Sequence, residues 1–408
     1  MSLEFSESLL VLGALVAAAA ALSGLFRGSI LNASVLAVAA GVGLAAFDAV
    51  SVDSESEIVR HSIELALILT LFSDGLVVER ELLGKHWGPP ARALMIAMPV
   101  TMALIALGAR VLFPTLDWVE CFLLGAVLAP TDPVVTSTVV TARRVPGVVR
   151  HTLNLESGLN DGLALPFVLF FLALAIPNAD AFSAAGELIG EVAVGAAIGF
   201  ALAYMAGRVL QRIPGGGLAH NYEGVYALGL ALLAYGLADV TWGNGLIAAF
   251  VAGVALAVAE HDIPDAFSVF NENVGAVFQA ITFFLFGALI VDTPWDKGAL
   301  VLLAFILFTL LIARPVAVLL ALAGTRRPQP EKLFIAWFGP KGVASMLFAL
   351  LVLNSAVPHH ELVFETASFV IIASICAHGL TDTVGTRWLE RRTSTPGSPL
   401  GEVVDSTV

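Results

Sequence analysis

The amino-acid sequence predicts an all-α polytopic membrane protein, and three observations lead to that fold class. Hydrophobic residues make up 58% of the 408 residues and charged residues only 13%, about half the charged fraction of soluble domains. The mean hydropathy is +0.91. The apolar segments are continuous rather than alternating, which favours transmembrane helices over a transmembrane β-barrel. A water-soluble globular domain is therefore excluded, and the lipid bilayer is the first expected partner.

Apolar windows of roughly 20 residues place about thirteen transmembrane helices along the chain. The connections between them are short, so we expect one membrane domain over about residues 1–390 and a short tail over about 391–408. The predicted helices cover about 9–25, 29–49, 57–79, 89–113, 117–142, 148–176, 184–211, 222–240, 244–260, 269–291, 298–323, 331–356 and 361–389.

Lys and Arg are distributed unevenly between the two ends of these helices. Fifteen of the 20 lie on one predicted side and three on the other, while Arg314 and Lys341 fall inside predicted helices. By the positive-inside rule, the richer side is cytoplasmic. We therefore expect a multi-pass protein of the cell (inner) membrane, with its N-terminus outside and its C-terminus in the cytoplasm.

The fifth predicted helix contains an acid between two prolines, in the sequence LAPTDPVV. Proline lacks a backbone N–H and disfavours helix at the residue before it. We therefore expect the helix to unwind near Asp132 in mid-membrane, freeing carbonyl groups beside a carboxylate. A charge in the bilayer needs such a reason because it costs about 2.5–3.5 kcal/mol on insertion scales. The alternative is a simple kink, with Asp132 capping a second half-helix.

The sixth predicted helix carries four polar side chains within ESGLND. Helical spacing places Glu156 and Asn160 on one stripe, and Ser157 and Asp161 on the neighbouring stripe. One stripe can serve structure while the other faces an ion. The alternative is an interfacial loop at the cytoplasmic end, because Arg150 lies shortly upstream. We favour the helix, since apolar sequence resumes directly after Asp161.

The twelfth predicted helix is interrupted by Gly339, Pro340 and Gly342, with Lys341 in the interruption. The fifth and twelfth helices would cross the membrane in opposite directions, which is typical of inverted-topology repeats with crossed discontinuous helices. We therefore predict two six-helix repeats joined by a linker helix. The expected ranges are about 9–176 for the first repeat, about 184–211 for the linker and about 222–389 for the second repeat.

The charges at these two interruptions are complementary to half-helix ends. Lys341 can neutralise the negative C-terminal end of one half-helix, and Asp132 can face the positive end of another. The alternative for Lys341 is a lysine that extends its ammonium group to the membrane surface. Arg314, in the eleventh predicted helix, stays charged at ordinary pH and needs a buried carboxylate, for which Glu156 is the first choice.

Other polar residues give weaker indications. Asp74 fits a solvated interfacial position about as well as an inner funnel. Glu187, Glu191 and Asp239 lie toward helix ends and are interpreted as solvated or locally hydrogen-bonded. His378 lies inside the last predicted helix, where a functional role and a satisfied interior histidine both stay open.

The sequence gives no sign of enzyme chemistry or of a nucleic-acid partner. Cys121 and Cys376 lie in apolar segments without a disulfide framework or a metal-ligand spacing. We find no nucleotide-binding loop and no catalytic serine–histidine–aspartate order. The net charge of −13 opposes phosphate binding. We therefore expect no cofactor, and a transporter without a nucleotide site must use an ion gradient.

Together, TDP, ESGLND, the arginine of the eleventh helix, the GPKG interruption and a closing HGLT resemble the monovalent cation:proton antiporter superfamily. The closest likeness is to its sodium/proton exchanger, or NhaP-like, branch, and it extends over the whole predicted membrane domain. The resemblance implies that Asp161 is the ion- and proton-binding carboxylate. It also implies that Asp132, the Ser157 hydroxyl and the Thr131 backbone are further oxygen ligands of Na⁺.

The same resemblance assigns supporting roles to other residues. Asn160 matches the asparagine that marks the electroneutral branch, and Glu156 with Arg314 matches a buried ion pair. Lys341 departs from the pattern, because this branch more often has arginine there. It keeps the charge but loses the bidentate geometry of a guanidinium group.

We therefore expect a secondary antiporter, not an enzyme, that exchanges Na⁺ or Li⁺ for H⁺ by alternating access at one shared carboxylate site. Its expected partners are monovalent cations, protons, the bilayer and a second copy in a homodimer. K⁺/H⁺ exchange remains open because oxygen ligands do not reveal radius selectivity. A gated cation channel would share an acidic, carbonyl-lined site. An intramembrane hydrolase using Ser157 lacks a histidine base on a facing helix.

Overall fold

The computed structural model describes residues 13–14, 17, 33–48, 50, 52, 56–82, 88–132, 145–177, 180–210, 212, 222–259, 277, 280–291 and 298–393. These residues form helices and connecting turns, with no strand among them. The helices are α1 (Ala33–Ala46), α2 (Glu57–Leu82), α3 (Gly88–Leu112), α4 (Trp118–Leu128), α5 (Gly147–Leu174), α6 (Ala181–Leu210), α7 (Glu223–Asp239), α8 (Gly245–Ala259), α9 (Ala280–Leu289), α10 (Ala299–Ala321), α11 (Gln329–Trp337), α12 (Val343–Leu353) and α13 (His360–Thr393).

The predicted all-α membrane fold is confirmed. Within the described parts of the chain, five helices are long and apolar enough to cross a membrane, namely α3, α5, most of α6, α10 and α13, and shorter apolar helices accompany them. The first predicted helix, about 9–25, lies almost entirely outside the described residues, as does the tail after residue 393. The repeat boundaries and the orientation in the membrane stay predictions.

Two of the predicted helices become non-helical at the expected positions, and the two non-helical segments meet. We call the non-helical segment 129–132 after α4 the first break, and the segment 338–342 between α11 and α12 the second break. The backbone N–H of Asp132 donates to the carbonyl of Pro340 over 2.9 Å. The predicted unwinding at both places is therefore confirmed. Residues 133–142 of the fifth predicted helix lie outside the described residues.

Two other helices, α3 and α10, each contain a five-residue π turn, at Ala93–Ala97 and Thr309–Ala313. In both, the next residue donates its N–H five residues back, from Met98 to Ala93 and from Arg314 to Thr309. A proline follows one residue later in each helix, at positions 99 and 315. Because proline cannot donate, the ladder is already weakened there and the wider turn costs less. A π turn at corresponding positions in α3 and α10 is expected if the two predicted repeats have the same fold.

Close backbone contacts hold the helices together. Gly75 of α2 and Gly253 of α8 face each other so closely that a Cβ atom on either would overlap the neighbouring backbone. Small residues at helix crossings allow this approach in membrane proteins. At its N-terminus, α4 has a capping box in which Asp117 and Glu120 exchange hydrogen bonds with each other's backbone N–H. The capping box thus stabilises the start of α4, the helix that leads into the first break.

Candidate functional site

Asp132 lies where the two breaks cross. Its Oδ2 atom accepts a hydrogen bond from the backbone N–H of Val343, the first residue of α12, over 3.1 Å. The carboxylate therefore faces the positive end of α12, which the sequence predicted. Gly342 is required beside it, because a Cβ atom at that position would overlap the Asp132 side chain.

Lys341 occupies the second break and reaches the first. Its Nζ donates to the carbonyls of Ala129 (3.4 Å) and Pro130 (3.2 Å), at the C-terminal end of α4. Its side chain is 1% exposed, so the reading of a lysine reaching to the membrane surface is wrong. The ammonium group instead offsets the negative end of α4, as predicted.

Asp161 lies in α5 and is 6% exposed. Its carboxyl group lies beside that of Asp74 on α2, within hydrogen-bonding reach. Among the described side chains, Asp161 Oδ1 and Asp74 Oδ2 are buried without a hydrogen-bond partner. Both acids lie within electrostatic range of Asp132, and Lys341 partly offsets the charge at Asp161.

Asp74 is the residue that sequence reasoning left undecided. The signal was present, because an acid inside the apolar run LFSDGLVV has no counterion nearby in sequence. What the sequence did not supply was its partner, since α2 and α5 are far apart along the chain. Asp74 is half-buried and its Oδ2 atom is enclosed, which favours the inner-funnel position over a solvated interfacial one.

Asn160 and Ser157 complete the oxygen-rich surroundings. The Asn160 amide Nδ2 donates to the carbonyl (3.1 Å) and the hydroxyl oxygen (2.8 Å) of Thr131, which ties α5 to the first break. Its own Oδ1 is another buried atom without a partner among the described residues. The Ser157 hydroxyl donates to the Leu153 carbonyl over 2.7 Å and keeps its lone pairs free to accept.

Glu156 and Arg314 form the predicted ion pair. Arg314 Nη1 donates to Glu156 Oε1 over 2.8 Å, and both side chains are about 6% exposed. Arg314 Nη2 also approaches the Phe338 carbonyl, at 3.5 Å. Gly339 leaves the space that the guanidinium group fills, since a Cβ atom there would overlap it. The pair therefore joins α5 and α10 beside the second break.

The described acidic, histidine and cysteine side chains include no group of three that converges as metal ligands. A cation bound near Asp161 would therefore also need hydroxyl, amide or backbone oxygens, which suit a hard, weakly charged ion. All eight predicted site residues lie in the described parts of the chain, around the breaks and the α5 segment facing them. Their roles in ion binding stay predictions. Glu187 and Asp239, interpreted as solvated, are exposed.

Crossed, interrupted helices around buried carboxyl groups are the architecture of ion-coupled secondary transporters. The chain matches a protein family over residues 11–385, the transmembrane sodium/hydrogen exchangers. It therefore belongs to the sodium/hydrogen exchanger family, as the sequence motifs indicated. The match extends from the first predicted helix almost to the end of α13.

Similar proteins are named for two different cations, K⁺ and Na⁺. The K(+)/H(+) antiporter NhaP of Alkalimonas amylolytica is 26% identical over 331 residues, 80% of this chain and 57% of that protein. The Na(+)/H(+) antiporter 2 of Zygosaccharomyces rouxii is 28% identical over 338 residues, 77% of this chain and 41% of that protein. The chain thus spans about half the length of these relatives.

The fold is also found in a solved structure, that of the sodium proton antiporter MjNhaP1 from Methanocaldococcus jannaschii. The TM-score is 0.77 at 21% sequence identity, and the superposition covers 97% of this chain and 100% of the other. At this identity the likeness concerns the fold alone.

Proposed function

We propose that this protein is a secondary active antiporter that exchanges Na⁺ or Li⁺ for H⁺ at one shared carboxylate site, without a cofactor. The observation that carries the proposal is the buried carboxyl group of Asp161. It lies beside Asp74, and its Oδ1 atom has no hydrogen-bond partner among the described residues. A carboxylate can hold a proton or coordinate a cation, but the two occupants compete for the same oxygens. Competition at one site couples the two fluxes.

The surroundings of Asp161 supply further ligands of the right chemistry. Ser157 offers hydroxyl lone pairs, and Asp132 offers carboxylate oxygens. The Thr131 oxygens already accept from Asn160, so Thr131 would join the ligands only by sharing a lone pair. We infer that alternating access exposes this set first to one side of the membrane and then to the other.

We infer that the exchange is electroneutral. Asn160 is neutral, Glu156 is balanced by Arg314 over 2.8 Å, and the charge of Lys341 is directed at the carbonyls of the first break. The groups that remain to change their charge are the carboxyls around Asp161. If one of them alternates between Na⁺ and H⁺, the site has the same charge with either occupant.

The choice of cation is tested by fluxes measured one ion at a time. Purified protein is reconstituted into acidified vesicles, and a fluorescent pH indicator reports dequenching after addition of Na⁺, Li⁺ or K⁺. We expect responses to Na⁺ and Li⁺. A response to K⁺ alone would favour the K⁺/H⁺ exchange named for one relative. Cation flux without proton movement would favour a gated channel and contradict the proposal.

We further propose a homodimer in the cell membrane, with the N-terminus outside and the C-terminus in the cytoplasm. The support for the orientation is the excess of Lys and Arg on one predicted side. A C-terminal reporter that fluoresces only in the cytoplasm tests the orientation, and light scattering of the detergent-solubilised protein tests the dimer. A reporter that does not fluoresce would contradict the orientation, and a monomeric mass would contradict the homodimer.

A further inference from the structure

The second break lacks several hydrogen bonds that an unbroken helix would have, and contacts with α13 replace the one between Lys341 and Trp337. In an α-helix, the N–H of Lys341 would donate to the carbonyl of Trp337, four residues earlier. Here the Lys341 N–H donates to Ser374 Oγ over 2.9 Å, and the Trp337 carbonyl faces His378 Nε2 at 2.8 Å. Both partners lie on α13, and both are buried.

Ser374 and His378 also contact each other, because they are four residues apart on α13. Ser374 Oγ lies 3.2 Å from His378 Nδ1. A carbonyl only accepts, so a hydrogen bond to the Trp337 carbonyl needs the hydrogen on Nε2, and in that neutral tautomer Nδ1 accepts from the serine hydroxyl. The Ser374 carbonyl, 2.7 Å from Nδ1, accepts from the ring when the hydrogen is on Nδ1, in the other neutral tautomer or in the doubly protonated ring.

With the hydrogen on Nε2, a continuous chain of three hydrogen bonds links Lys341, in the second break, to Trp337, which directly precedes it. It runs from the Lys341 N–H through the Ser374 hydroxyl and the His378 ring to the Trp337 carbonyl. The chain thus takes the place of the missing backbone hydrogen bond. Trp337 is held further by its ring stacking on His378 (5.0 Å between centroids) and by its Nε1, which donates to Thr381.

The geometry of the second break determines where Asp132 lies. Between the two residues tied to α13, Trp337 and Lys341, the Pro340 carbonyl accepts from the Asp132 N–H. Two residues after Lys341, the Val343 N–H donates to the Asp132 carboxylate. We propose that Ser374 and His378 are positioning residues that hold the second break open and thereby place Asp132 for cation binding. This inference rests on the proposed function.

The test compares apparent KM and maximal rate for Na⁺ in proteoliposomes. His378→Leu removes both ring contacts, and we expect KM to rise about tenfold with a smaller loss of rate, because the buried Trp337 carbonyl loses one of its two donors and keeps the Gly339 N–H. His378→Gln retains an amide donor and acceptor at similar reach, and should return KM to within about threefold of the wild-type value. Ser374→Ala interrupts the same chain and should raise KM by a similar factor.

A matched control lies on the same helix. Ser368 is buried, and its hydroxyl donates only within α13, to the Phe364 carbonyl over 2.7 Å. Ser368→Ala should leave KM unchanged. The double variant Ser374→Ala/His378→Leu should be no worse than His378→Leu alone, because one chain is interrupted only once.

Independent, multiplying effects of the two substitutions would overturn the inference, as would equal losses from Leu and Gln at position 378 or an unchanged KM. If His378→Leu does not fold, the contrast between Ser374→Ala and Ser368→Ala decides in the same way. Absence of exchange in the wild-type protein contradicts the proposed function itself. Exchange in the wild type without a KM effect contradicts only the positioning role.

Discussion

The first break, 129–132, and the second break, 338–342, cross each other but carry opposite charges. The first break contributes Asp132, which faces the N-terminal end of α12, and the second contributes Lys341, which faces the C-terminal end of α4. Each charged side chain therefore compensates a helix end created by the other break. The breaks also differ in support, since Asn160 on α5 holds the first and α13 holds the second.

This difference indicates that the two breaks have different roles. The first break is tied to the helix that carries Asp161, so it lies with the groups that exchange a proton or a cation. The second break is tied to Arg314 of α10 and to α13. Among the described residues, no acid of α13 acts on Asp161. We therefore expect substitutions on the side of the first break to affect transport, and those around the second break to affect stability and ion affinity.

The largest expected effect concerns the acid beside the first break. Asp161→Asn should abolish exchange and leave a folded, membrane-inserted protein, because an amide cannot alternate between a proton and a cation. Asp132→Asn should be nearly as damaging. Dequenching in acidified vesicles gives the measurement. The matched control is Asp239→Asn at the exposed end of α7, for which we expect normal exchange. Normal exchange by Asp161→Asn would contradict the role of Asp161 as the shared carboxylate.

The ion pair beside the second break should affect stability more than transport chemistry. Arg314→Ala leaves Glu156 as an uncompensated buried charge, which costs on the order of 3–5 kcal/mol. We expect a larger drop in melting temperature than for Asp161→Asn, measured on detergent-solubilised protein. Replacing both partners, Arg314→Ala with Glu156→Gln, should recover part of the loss. Simple additivity of the two single losses would show that the pair is not coupled.

A methyl group at the crossing provides a finer comparison. Gly342→Ala places a Cβ atom on the Asp132 side chain, and overpacking of this kind costs about 1–3 kcal/mol. We expect a weaker apparent Na⁺ affinity together with a lower melting temperature. Gly236→Ala in α7 is the control, since nothing lies within 4 Å of its added methyl group. A Gly342→Ala protein with wild-type affinity would argue against a fixed Asp132 position.

The smallest expected effect is that of a membrane potential. With one Na⁺ exchanged for one H⁺, a potential imposed with K⁺ and valinomycin should not change the rate. One uncompensated charge would couple at about 2.3 kcal/mol per 100 mV. Clear acceleration by the potential would contradict the electroneutral assignment.

Proton competition at the shared site provides a second measurement on the same vesicles. The apparent affinity for Na⁺ should decrease as pH falls through the titration range of the coupled acids. At high pH, too few protons remain for the return step, so the rate should show a bell-shaped dependence on pH. A Na⁺ constant that does not change with pH would contradict competition for one carboxylate.

Local sequence rules were sufficient for most of the fold and for both breaks. Prolines on either side of Asp132, and Gly–Pro–Lys–Gly at 339–342, disfavour helix through the backbone itself. The partner of Arg314 could be named because few buried acids were available for its charge. By contrast, the contact between Asp74 and Asp161 depends on how α2 packs against α5. No periodicity within either helix contains that information.

The roles of Ser374 and His378 were out of reach for the same reason. A histidine inside an apolar helix is compatible with an ordinary buried position, and the HGLT motif does not show what the ring contacts. Only the packing of α13 against the second break places His378 Nε2 at 2.8 Å from the Trp337 carbonyl. Backbone atoms that lack a helical partner are therefore the most useful guide to side chains whose function depends on tertiary contacts.

The π turn in α10 allows this helix to lose one residue without a change in the register of its two halves. Thr309–Ala313 closes with a hydrogen bond from Arg314 to Thr309, five residues back, so the turn contains one residue more than a regular α-helical turn. Deletion of a single codon there, for example that of Leu311, would restore the regular ladder and leave Arg314 directed at Glu156, because the wide turn and the regular turn cover about the same rotation. Deletion of one residue in the regular part of α10, between Ala299 and Phe308, would instead rotate the segment before it by about 100° relative to Arg314. Single-residue changes in the length of α10 should therefore be tolerated within Thr309–Ala313 and not in the rest of the helix.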